Sequence, residues 1–191
     1  MDRDDAIALV RDAVVEPGGT WADLGAGTGT FSRALASLLG PTGRVYAVDR
    51  DARALHELER LAGRHPTGGA SIRTVVGDFT RAITLPPLDG VVLANALHFV
   101  PYADQAAVLR HAAGTVRPGG TIVVIEYDRR HANPWVPYPI SPAAVAELAR
   151  QAGLGEPRLL ATRPSAYSGT LYSVAVSGPA VAPTGARETR A

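Results

Sequence analysis

The chain predicts an α/β fold: a doubly wound, largely parallel sheet with helices on both faces. Three observations carry that expectation. Segments of strand composition alternate with helical ones for most of the length, and such alternation builds parallel sheets. Thr20 to Phe31, TWADLGAGTGTF, passes from a short apolar strand through three alternate glycines into a helix. Thr121 to Glu126 is almost uniformly apolar, as a strand buried on both faces reads.

In order along the chain, residues 3–15 place Ile7, Val10, Arg11 and Val14 at helical spacing with charges opposite, a short helix that ends before Pro17-Gly18. A strand at Trp21–Leu24 follows, then a helix from Thr30 to Leu39, broken by Gly40-Pro41-Thr42-Gly43. Arg44–Val48, β-branched and aromatic, is a second strand that runs into Asp49. Residues 51–64 form a helix with Ala54, Leu55, Leu58 and Leu61 on its buried side, and Pro66-Thr67-Gly68-Gly69 turns the chain. Ile72–Val76 is a third strand, ending at Gly77-Asp78. Pro86–Asp89 is a loop, and Gly90–Ala94 is a fourth strand ending at Asn95. The helix at 103–114 takes its apolar positions from Ala106, Ala107, Val108, Leu109 and Ala113. Arg117-Pro118-Gly119-Gly120 is a tight turn into the fifth strand. Tyr127–Ile140 is irregular and rich in proline and aromatic residues. Ser141 is an N-cap with Pro142 at the first position of helix 142–152, which stops at Gly153. Arg158–Thr162 and Thr170–Val176 are joined too briefly for a helix and are expected to form an antiparallel hairpin. One domain over 1–177, opening with the helical segment 1–16, and a disordered Pro/Gly/Ala-rich tail at 178–191 are expected.

Composition removes several chemistries. The 191 residues are 46% hydrophobic and 19% charged, with net charge +1, so neither a basic excess nor a basic run marks a nucleic-acid binder. All 19 basic residues are arginine, which excludes Schiff-base and lysine-base mechanisms. The absence of cysteine excludes disulfides, thiolate zinc sites and thiol catalysis. The acidic, amphipathic start lacks the basic and apolar run of a secretory signal, and no apolar segment approaches the roughly 20 residues of a membrane span. A cytoplasmic protein, monomeric or homodimeric, is expected.

Three candidate sites fall at the ends of successive strands. Gly25, Gly27 and Gly29 have the spacing G-x-G-x-G, a turn suited to close backbone approach to a ligand; the plain alternative is a tight strand-to-helix turn. Asp49 ends the second strand, where a carboxylate can accept hydrogen bonds from ribose hydroxyls or cap the next helix. Asp78-Phe79 ends the third, where the acid can accept from an exocyclic amine or simply turn the chain. All three lie on the edge where open α/β sheets bind ligands.

In these residues the sequence resembles the class I S-adenosylmethionine-dependent methyltransferases. Asp23-Leu24-Gly25-Ala26-Gly27-Thr28-Gly29 is similar to the family's first motif, Val48-Asp49 with Arg50 beside it to the second, and Gly77-Asp78-Phe79 to the third. Ala94-Asn95-Ala96-Leu97-His98 resembles the segment after the fourth strand in the small-molecule and quinone-biosynthesis subset, and Arg117–Thr121 the turn into the fifth. The resemblance implies a Rossmann-like sheet of seven strands with the last antiparallel, and S-adenosylmethionine as cofactor. It implies that Asp23 and the backbone of Gly25, Ala26, Gly27 and Gly29 hold the methionine end, Asp49 the ribose, Asp78 and Phe79 the adenine, and a carbonyl near Ala94 or Asn95 the ammonium group.

The acceptor is less constrained. Asn95-Ala96-Leu97-His98 lacks the prolines of base-amine methyltransferases, and the neutral Asn95 stands where metal-dependent relatives carry acids, so no metal is expected. His98 is the candidate base, since imidazole titrates near neutrality; beside Phe99 and Val100 it also reads as a packing residue. Glu126, Tyr127, Trp135 and Tyr138 are candidate acceptor contacts, with Trp135 equally able to staple its loop to the sheet. In-line methyl transfer to oxygen or carbon of a small organic molecule is the leading expectation. Methylation of protein or rRNA, or a non-catalytic S-adenosylmethionine-binding module, are the alternatives.

Overall fold

Five strands lie side by side and parallel, and the apolar runs of the inner ones are buried beneath helices on both faces. A computed structural model of the protein describes residues 1–64, 68–165 and 169–178. In it β1 (Thr20–Leu24), β2 (Arg44–Asp49), β3 (Ser71–Val76), β4 (Leu88–Ala94), β5 (Val116–Asp128), β6 (Arg158–Pro164) and β7 (Thr170–Ser177) form one sheet in the order β3-β2-β1-β4-β5-β7-β6. β7 runs antiparallel to both β5 and β6, and the other neighbours pair parallel.

Alternate strand residues serve opposite faces. Val92 and Val123 pack under α1 (Arg3–Val10) and α2 (Thr30–Leu39), whereas Val91, Leu93, Ile122 and Val124 pack under α4 (Tyr102–Thr115) and α5 (Pro142–Gln151). Ile122 to Ile125 are without exposure, each contributing roughly 2 kcal/mol of burial. α3 (Ala52–Arg64) sits nearer the β3 edge and sets Leu55 and Leu58 against Ala26 and Ala47. Gly90 leaves the room that the Trp21 ring fills, for a Cβ there would stand 2.5 Å from it.

Several boundaries differ from the sequence reading, each for a tertiary reason. α1 buries Ala6, Leu9 and Val10, not the stripe through Ile7 and Val14, because the helix lies on α2 rather than on the sheet alone. α3 leaves Ala54 and Leu61 half-exposed, having only the sheet edge beneath it. β4 begins at Leu88, inside the expected loop, and Arg117–Gly120 is an excursion within β5: Leu88 pairs with Val116 and Gly90 with Thr121. Asp89 holds that excursion, accepting from Thr20 N at 2.6 Å and pairing with Arg117 at 2.9 Å. β5 also runs on to Asp128 through its pairing with β7. The turn at Pro66-Thr67 and the tail beyond Gly178 lie outside the described residues. Among the described residues, no helix is long and apolar enough to cross a membrane.

β1 lies between β2 and β4, so the strand order reverses there. Connections after β1 and β4 leave in opposite directions and open a crevice at the strands' C-terminal ends.

Candidate functional site

The floor of that crevice is the glycine turn after β1. Gly25 and Gly27 have φ of 81° and 53°, a region only glycine adopts freely. Gly25 N and Ala26 N donate to Val48 O (2.8 and 3.0 Å), Gly29 N to Ala26 O (2.9 Å) and Gly27 N to Asp49 Oδ2 (2.7 Å). These amides are therefore satisfied within the chain, and the glycines serve shape instead. A Cβ on Gly25 would stand 2.7 Å from Ala96 Cβ, whereas one on Gly27 would enter open space, the space of the cleft itself.

The cleft, about 310 Å³, brings together Gly25, Gly27, Asp49, Arg50, Asp78, Phe79 and Asn95. It does not include Asp23, Ala26 or Gly29. Ala26 packs on α3, and a Cβ on Gly29 would collide with Leu58. Asp23 is buried behind the turn, accepting from Ser32 Oγ at 2.6 Å, and burial raises its pKa from 3.8 to about 6.

Both remaining acids are preset by local bonds. Asp49 Oδ1 accepts from Asp51 N at 2.8 Å, and each of its oxygens keeps a further lone pair. Asp78 Oδ1 accepts from Thr80 Oγ1 (2.7 Å) and Thr80 N (3.0 Å), bonds that hold its carboxyl below the usual range. Asn95 adopts φ of 50°, and its Oδ1 is buried without a hydrogen-bond partner. That is an orphan acceptor of the kind buried sites rarely tolerate unfilled.

Asn95 and Phe99 also line a second, larger chamber of about 760 Å³, shared with His98, Tyr127, Trp135 and Arg129. His98 is 2% exposed. Its Nδ1 lies 2.5 Å from Glu126 Oε2, while Glu126 Oε1 accepts from Leu97 N (2.9 Å) and His98 N (3.1 Å). Glu126 is thus wholly buried beneath the histidine and does not face the chamber, because β5 points it at the turn following β4. Tyr138 is also displaced from the wall: its N–H donates to His98 O at 3.0 Å, and its ring meets Tyr102 edge-on. Trp135, 82% exposed, does reach the chamber with Tyr127. Asn133 puts it there, accepting from Trp135 N (2.9 Å) and Val136 N (2.7 Å). Tyr172 pins the end of this loop by donating to Ile140 O at 2.7 Å.

Sequence reasoning passed over Thr80, Phe99 and Asn133. Asn133-Pro134 is a turn-initiating pair and was the available signal for the last. A further cavity, about 490 Å³, opens at the opposite end of the sheet by Gly18, Trp21 and Arg117, away from every candidate site residue.

A family model described as a methyltransferase domain matches residues 22–120. The ubiquinone/menaquinone biosynthesis C-methyltransferase of Bordetella parapertussis is 31% identical over 135 residues, covering 69% of this chain and 47% of that protein. The chain spans about half the length of the curated relatives it matches. Among solved structures, magnesium protoporphyrin IX methyltransferase from Synechocystis, with bound S-adenosylmethionine, superimposes with a TM-score of 0.68 at 18% identity, over 92% of this chain and 77% of that one. The 1,6-didemethyltoxoflavin N1-methyltransferase of Burkholderia thailandensis gives 0.72 at 20% identity, over 93% and 78%.

Proposed function

We propose, for a chain that belongs to the methyltransferase domain family of the S-adenosylmethionine-dependent class, that it methylates a small organic acceptor at oxygen or carbon. The observation that carries this reading is the junction at Asn95 and Phe99, where a cleft of hydrogen-bond acceptors meets an aromatic chamber containing His98. The cleft fits the cofactor by complementarity. Its fixed polar groups, Asp49, Asp78 and the unpartnered Asn95 Oδ1, are acceptors, and S-adenosylmethionine offers ribose hydroxyls, an adenine amine and an ammonium group as donors. Asp49 would hold the ribose, Asp78 and Phe79 the adenine, and Asn95 the ammonium. Asp23, Ala26 and Gly29 shape the turn from behind.

When bound, the cofactor supplies an electrophilic sulfonium methyl group, whose bond to sulfur breaks as a bond to the acceptor forms, the electron pair staying on sulfur. The chain's own residues do the rest. Glu126 holds Nδ1 of His98, fixing the ring and leaving Nε2 to take the acceptor's hydroxyl proton. Phe99, Tyr127 and Trp135 offer flat faces that align the acceptor and exclude water. The protein is read as cytoplasmic, monomeric or homodimeric, with no nucleic-acid partner and one domain over 1–177.

Titration calorimetry with S-adenosylmethionine, followed by a screen of small acceptors with methyl-labelled cofactor, tests the reading. Cofactor binding and a labelled small product are expected. Absence of binding would overturn it, and binding with no labelled product from any acceptor class would favour the non-catalytic module.

A further inference from the structure

The two cavities differ in polarity, and the chamber's polarity narrows its ligand. Arg129 is half-buried in the chamber wall, and no hydrogen bond or ion pair joins it to another described residue. Its guanidinium is a planar cation with a fork of N–H donors. Among the described residues, no aspartate or glutamate lines the chamber. Asn133, also in the wall, has its Oδ1 occupied by the amides of Trp135 and Val136. What it has left for the chamber is its NH₂, a donor. The outer polar groups are therefore a cation and a donor, set among the rings of Phe99, Tyr127 and Trp135. A carboxylate matches the fork geometry of a guanidinium, and an aromatic skeleton matches the walls. His98 stands at the inner end, next to Asn95 and the cofactor cleft. The chamber volume, about 760 Å³, suits an organic ligand of ordinary size.

Resting on the methyltransferase reading, we propose that the acceptor is a flat aromatic hydroxy acid. Its carboxylate pairs with Arg129 and Asn133, and its hydroxyl lies toward His98. The methyl acceptor is the hydroxyl oxygen: its proton passes to His98 Nε2 and the O–CH₃ bond replaces the O–H bond, while the methyl–sulfur bond of the bound cofactor would break with its electron pair staying on sulfur.

Binding can be read without turnover, because Trp135 stands in the chamber while Trp21 is buried in the core. The probes are 4-hydroxybenzoate and 4-hydroxycinnamate, each against its methyl ester, with fluorescence of the wild type compared with that of Trp135→Phe. The acids are expected to bind at least about tenfold more tightly than the esters, the scale of one charge-assisted pair. Arg129→Ala should erase that preference, and Arg129→Lys should retain part of it. Equal binding of acids and esters, a preference that survives Arg129→Ala, or no Trp135-dependent signal with any probe would overturn the proposal. Calorimetry with S-adenosylmethionine separates the two levels. If the cofactor binds and esters are methylated as well as acids, the methyltransferase reading stands and the acid preference falls. If the cofactor does not bind, the methyltransferase reading itself fails.

Discussion

The cleft and the chamber meet at Asn95 yet are built by different means. In the cleft, Asp49 and Asp78 are oriented by amides two residues further on, and both carboxylates are acceptors, with Arg50 beside them. In the chamber, His98 is oriented by Glu126, 28 positions away, and the outer polar groups are donors. An acceptor-lined cleft suits a cationic cofactor, and a donor-lined chamber suits an anionic partner. The contrast separates a half whose acids are oriented by local turns from a half whose histidine is oriented only once β4 and β5 have paired.

Glu126→Ala should divide the two halves most sharply. It strands the amides of Leu97 and His98 and leaves the imidazole unpaired in a buried site, a loss of about 3–5 kcal/mol, read by urea unfolding. Glu126→Gln should recover part of the stability while flattening the pH profile of turnover. Wild-type stability in the alanine variant would mean that the chamber does not depend on this distant contact.

Asp23 gives the cleft side its own pH signature. Its folded pKa of about 6 lies above the ordinary 3.8, so the folded state holds a proton that the unfolded state has released. Stability from this group is full below 3.8 and lost as pH rises through about 6, amounting to about 3 kcal/mol. Asp23→Asn should remove that slope from stability measured between pH 4 and 7; an unchanged slope would place its origin elsewhere.

A smaller effect is expected of Asp49→Ala. Losing a charged acceptor should weaken S-adenosylmethionine binding by about 2 kcal/mol, roughly 30-fold, in calorimetry, with probe binding in the chamber unchanged. Trp135→Ala is the mildest and the mirror image. Acceptor use should fall about tenfold through lost ring contact, with cofactor affinity within about twofold of wild type. If Trp135→Ala instead weakened cofactor binding more than acceptor use, the chamber and cleft would have been assigned the wrong way round.

The sheet was largely legible because apolar runs, glycine turns and the Ser141-Pro142 cap are local signals. Asp49, Asp78 and the glycines were legible for the same reason: each lies where a strand stops. Glu126 was placed on the right strand but in the wrong role, since only its neighbour across the sheet shows that it faces the turn bearing His98 rather than the chamber. Tyr138 failed likewise, its ring turned toward Tyr102. The glycine turn was recognised, but its amides prove to be bonded to Val48, Ala26 and Asp49.

By itself, then, the sequence determined the alternation of strand and helix, the glycine turn, and the acids at the ends of β2 and β3. Those features rest on spacing and backbone preference within a few residues. The tertiary structure alone decided which residues face the chamber, that Glu126 grips His98, and that Arg129 lines the chamber with no ion pair among the described residues. Those depend on which strands become neighbours, and pairing between distant segments leaves no local trace in the chain.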